Sequence, residues 1–132
     1  MKVAIATSGN NLDSQVSPVF GRAPWFLLVE SETEEFEAVE NKFAQTARGA
    51  GVAASQEIVN RQVQAVIGGN FGPNAYHVLS GAGIKIYNLT GAMTAKQALS
   101  LLKEGKLPEI SGPTESFGPG FGGGFGRGFG RK

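Results

Sequence analysis

The chain has 132 residues, no cysteine, and 12 Lys and Arg against 11 Asp and Glu, for a net charge of +1. That length suffices for one domain with a proper core and not for two. Without cysteine there is no disulfide, thiolate ligand or thiol nucleophile, and near-neutral charge selects neither nucleic acid nor a membrane surface. No apolar run approaches membrane-spanning length and no leader precedes the first strand, so the expected location is cytoplasmic.

Val3 to Ala6 is a continuously apolar run that stops at Thr7-Ser8-Gly9-Asn10, the pattern of a buried central strand. Residues 10–24 form a long polar connection. Trp25 to Val29 and Phe36 to Val39 are aromatic and β-branched enough for two further strands. The hairpin between them carries Glu30, Glu32, Glu34, Glu35, Glu37 and Glu40. These acids suit either an acidic docking or cation-binding face, or a solvated edge whose charges discourage edge-to-edge pairing.

From Gly49 the period changes. Ala50, Ala54 and Ile58 recur four apart, predicting a helix to about Arg61. Val63 to Ile67 reads as a buried strand stopped by Gly68-Gly69, and Ala75, Val78, Leu79 and Ala82 mark an amphipathic helix with Pro73 in its first turn. Ile84 to Tyr87 is the last strand. Thr94-Ala95-Lys96-Gln97 is a capping box that opens a final helix ended by Gly105.

The order β-β-β-α-β-α-β-α predicts an α/β fold with a five-stranded mixed sheet, order 3-2-1-4-5, strand two antiparallel to the rest. The exits of strands one, three, four and five then share one edge, where segments 8–24, 42–49, 68–74 and 88–94 converge. Ligands of open α/β sheets bind at such an edge. The domain is expected to span 1–108. Residues 109–132 form a Gly-rich tail, with Phe117, Phe121, Phe125 and Phe129 each followed by glycine, a composition too costly to order as helix or strand.

Two stretches at the converging edge could hold an anion. Ser17-Pro18-Val19-Phe20-Gly21-Arg22-Ala23-Pro24 places a planar cation beside a glycine. Gly68-Gly69-Asn70-Phe71-Gly72-Pro73-Asn74-Ala75 joins a buried strand to a helix start, where backbone N–H groups and the helix dipole favour negative charge. It is neither a Walker loop nor a G-x-G-x-x-G fingerprint, and glycine in a strand–helix turn is also an ordinary structural feature. Arg22 and Arg48, next to Gly21 and Gly49, could pair with an anion; Arg22 could equally cap a turn. Asn70 and Asn74 add amide donors.

Catalytic and metal-ligating sets are absent from the pattern. His77 is the only histidine and sits on a predicted helix face, and Asp13 is the only aspartate. A two-metal nuclease needs clustered carboxylates, and a serine hydrolase needs G-x-S-x-G with an acid–base pair. No catalytic residue and no protein metal ligand is therefore assigned.

The S-x-x-F-G-R-A-P loop, Gly49-Ala50-Gly51-Val52, the run Val66 to Ala75 and Gly83-Ile84-Lys85-Ile86-Tyr87 together resemble the dinitrogenase iron–molybdenum cofactor biosynthesis family over about residues 1–107. The resemblance implies an RNase H-like three-layer fold without nuclease activity. It also implies binding or carriage of an anionic molybdenum–sulfur, molybdenum–copper–sulfur or iron–molybdenum cofactor-type cluster, with an acceptor or delivery protein as partner. Many members carry His immediately before F-G-R; here that position is Val19. A thiometallate fills its metal's coordination shell with sulfide, so arginines and amides can hold it without a protein ligand. The expected cluster-binding residues are Ser8, Val19, Phe20, Gly21, Arg22, Arg48, Gly49, Asn70, Phe71, Gly72 and Asn74, with Val19, Phe20 and Phe71 as apolar cover. The alternative is an interaction scaffold whose FGxx-repeat tail binds protein or single-stranded nucleic acid, though three cations in that tail are few for nucleic acid.

Overall fold

Apolar runs and amphipathic stripes assemble into three layers in the computed structural model, which describes residues 1–45, 49–89 and 92–112. The strands are β1 (Lys2–Thr7), β2 (Trp25–Glu30), β3 (Phe36–Glu40), β4 (Ala65–Gly68) and β5 (Lys85–Asn88). They form one sheet in the order β3-β2-β1-β4-β5. β2 runs antiparallel to β1 and β3, while β4 is parallel to β1 and β5. This is the expected topology, and it brings the carboxyl ends of β1, β3, β4 and β5 to one edge.

Helices cover both faces. α1 (Ala50–Asn60) and α2 (Pro73–Gly81) pack Ala54, Ile58, Ala75 and Leu79 against Ala4, Ala6, Phe26, Leu28 and Val66. α3 (Ala95–Lys103) packs Ala95, Ala98, Leu99 and Leu102 against Val3, Ile5, Leu27, Val29 and Ile67. β1 is buried from Val3 to Thr7 because its alternate side chains enter different cores. The capping box forms as expected: Thr94 Oγ1 accepts from Gln97 N–H, and Gln97 Oε1 accepts from Thr94 N–H.

Some boundaries differ from the sequence expectation: Gly68 belongs to β4 and Ile84 lies outside β5. Val63 is buried but lies outside β4, because Gln62 takes a left-handed φ of 61° and turns the chain before the strand begins. At the other end, pairing with β5 continues past residue 108. Tyr87 bridges Glu109, and Ile110 N–H donates to Ile86 O at 2.9 Å. The β5 edge is thereby covered, while β3 remains an edge strand with Glu35, Glu37 and Glu40 exposed. The expected tail from 113 onward lies outside the described residues. Among the described residues no helix is long and apolar enough to cross a membrane.

Candidate functional site

At the carboxyl edge of the sheet, a single 3-10 turn, Phe20–Arg22, is fastened between two helix starts. Phe20 N–H donates to Gly69 O at 2.8 Å, and Gly69 N–H donates to Ser17 O at 3.1 Å, lacing the β1 exit to the β4 exit. This proximity requires glycine: a Cβ on Gly69 would lie 2.7 Å from Pro18 O. Gly21 is under the same demand from the other side, since its Cβ would meet Gly51 Cα at 2.8 Å and Gly51 N at 2.9 Å.

The result is a cleft of about 240 Å³ between the 3-10 turn and the first turns of α1 and α2. Gly49 precedes α1 with a left-handed φ of 74° and no side-chain cap, and Gly72 precedes α2, also uncapped. Among the described residues the first-turn N–H groups of Ala50, Gly51, Val52, Asn74 and Ala75 have no hydrogen-bond partner. Two helix dipoles therefore present their positive ends to one cavity. Ser55 Oγ donates to Gly51 O at 2.6 Å, within the α1–α2 contact where a Gly51 Cβ would touch Ala75 Cβ at 3.4 Å.

Arg22 adds a full positive charge to the lining, and its Nη1 donates to Ala44 O at 3.1 Å. Asn70 sits at φ 51°, a left-handed conformation that asparagine tolerates, with its N–H donating to Asn88 Oδ1 at 3.1 Å. Farther away, Glu30 accepts from the Met1 ammonium at 2.7 Å. That bond, aided by the Glu32 N–H, holds the Glu30 carboxyl below the usual range.

Seven of the expected residues line this cleft: Val19, Gly21, Arg22, Gly49, Asn70, Gly72 and Asn74. Phe20 and Phe71 do not. Both are fully buried, their rings stacked at 4.9 Å in the core that α1 and α2 share with the sheet, and not exposed as apolar cover. Ser8 is also displaced, its N–H closing the adjacent loop on Gln15 O at 2.9 Å. Of the expected segment 88–94, Thr94 bridges Gln15 in that loop, and Asn88 meets the cleft wall through its hydrogen bond with Asn70. Arg48 lies outside the described residues. His77 is exposed on α2, its ring 5.7 Å from Tyr76. No group of three or more His, Cys, Asp or Glu able to hold a metal occurs among the described residues.

Sequence reasoning missed Ala50, Gly51, Val52, Pro73 and Ala75 as lining residues; two uncapped helix starts at one edge were the available signal. It also missed Asn41, a buried polar residue at the β3 exit.

Fold and site together define a small three-layer α/β domain with a cationic, amide-lined cleft at its strand ends. A sequence model described as dinitrogenase iron–molybdenum cofactor matches residues 1–105, and the chain belongs to that family. An uncharacterised protein of Methanocaldococcus jannaschii is 36% identical over 113 residues, covering 83% of this chain and 92% of that protein. The apo form of the orange protein from Desulfovibrio gigas is similar in structure, with a TM-score of 0.83 at 32% identity over 86% of this chain and 96% of that one. A NifB-like protein from Thermotoga gives a TM-score of 0.71 at 37% identity over 82% of this chain and 91% of that one.

Proposed function

We propose that this protein binds and carries an anionic metal–sulfur cluster of the molybdenum–sulfur, molybdenum–copper–sulfur or iron–molybdenum cofactor type in the cleft between the 3-10 turn and the starts of α1 and α2. The observation that carries this is the convergence of two uncapped helix N-termini and Arg22 on one cavity, in a chain of the iron–molybdenum cofactor family. The donor set suits such cargo. Backbone N–H groups and a guanidinium recognise a polyanion whose metals already carry sulfide, and no thiolate exists in the chain to displace that sulfide. Val19, 38% exposed at the lip, presents an apolar surface to soft sulfide where a ligating side chain would otherwise stand.

The same donors favour binding over catalysis, because none of them accepts or delivers a proton near neutral pH. The cluster is cargo, held by charge and hydrogen bonds and released to an acceptor protein without breaking a metal–protein bond. Mixing the protein with tetrathiomolybdate and copper, then desalting, is the test. A visible absorption band that elutes with the protein supports the proposal; a colourless protein fraction overturns it.

A further inference from the structure

Building on the anion site just proposed, we infer that Asn41, outside the cleft, helps to position Arg22 within it. Asn41 is only 7% exposed and stands immediately after β3. Its Nδ2 donates to Ala23 O at 2.8 Å and to Gly21 O at 3.3 Å, the carbonyls on either side of Arg22. Its Oδ1 accepts from Phe43 N–H at 3.0 Å, and its backbone carbonyl accepts from Ala44 N–H at 3.3 Å. Ala44 O in turn accepts from Arg22 Nη1 at 3.1 Å. One buried amide thus holds the backbone that carries Arg22 and also the turn that receives its guanidinium.

The chemistry selects asparagine. Two carbonyls and one N–H must be met by a single short side chain, which requires two donors and an acceptor on one planar group. Aspartate would aim oxygen at Gly21 O and Ala23 O, and alanine would leave both carbonyls without this partner. Holding a long cation in place before binding removes ordering cost that a free arginine bears on meeting its anion. Asn41 is therefore a positioning residue, acting through Arg22.

The test is a double-mutant cycle, Asn41→Ala and Arg22→Ala, in the full chain with tetrathiomolybdate plus copper as probe. Each single variant is expected to weaken uptake by about tenfold, and Asn41→Ala to add almost nothing in the Arg22→Ala background. Additive losses overturn the inference. A second readout needs no ligand: NMR relaxation of the Arg22 Nε–H group is expected to show an ordered side chain in the parent and a mobile one in Asn41→Ala. Equal order in both overturns the positioning role whatever the probe does. An ordered parent, a mobile variant and no uptake by either would uphold the role while refuting the cluster proposal.

Discussion

Replacing Gly21 by alanine places a methyl group against the backbone of α1, where nothing flexible can yield. The new Cβ would stand 2.8 Å from Gly51 Cα, 2.9 Å from Gly51 N and 3.3 Å from Ala50 C, whereas ordinary contact begins at 3.4 Å. The 3-10 turn and the start of α1 must therefore separate by about 0.6 Å, the interval between 2.8 and 3.4 Å. Overpacking of this kind costs about 1–3 kcal/mol, or roughly 4–12 °C in Tm for a domain this size. The same displacement moves Arg22 away from the α1 amides, so uptake of tetrathiomolybdate and copper should fall together with Tm. Gly81→Ala supplies the contrast. Gly81 ends α2 with open space around its Cβ position, so that change should be neutral or stabilise by up to about 1 kcal/mol. Thermal unfolding by circular dichroism and desalted absorbance read both effects. A Gly21→Ala protein that melts and binds like the parent would refute the close-approach reasoning.

Gly49→Ala tests conformation without crowding, since no atom lies within 4 Å of the Cβ position while φ is 74°; a loss of about 1–2 kcal/mol by denaturant unfolding is expected, and no loss would mean the α1 start relaxes freely. Thr94→Ala removes the capping box of α3 and should cost about 1 kcal/mol in chemical unfolding, while leaving cluster uptake unchanged because α3 lies on the opposite face. Blocking the Met1 ammonium should raise the Glu30 pKa toward its ordinary value, read by carboxyl NMR titration. With the ammonium intact, the stability from this pair is present above the unfolded glutamate pKa and fades as pH falls through the lowered folded value; an unmoved midpoint after blocking would contradict the assignment. Removal of residues 113–132 should preserve uptake, and its loss would place binding on the FGxx repeats instead.

The sheet order was legible because short apolar runs alternate with helical stripes, and handed crossovers leave one way to arrange them. Val3 to Ala6 announced a strand buried on both faces, and it is one. The glycines of the site were legible as turn residues, but the reasons for Gly21 and Gly69 were not, because both answer to backbone brought close by tertiary packing. Phe20 and Phe71 misled for a related reason. Aromatics inside loop sequences read as surface, yet the loops fold back and stack the rings in the core. Asn41 carried no periodic or motif signal, since its worth lies in carbonyls of residues 21 and 23 that only the folded chain brings near.

The central claim, that a metal–sulfur anion sits between the two helix starts, is tested most directly by amide NMR during titration with tetrathiomolybdate and copper. The largest shifts should fall on Ala50, Gly51, Val52, Asn74, Ala75 and the 3-10 turn around Arg22. Saturable shifts centred on the β3 edge or α3, with these amides unmoved, would contradict it.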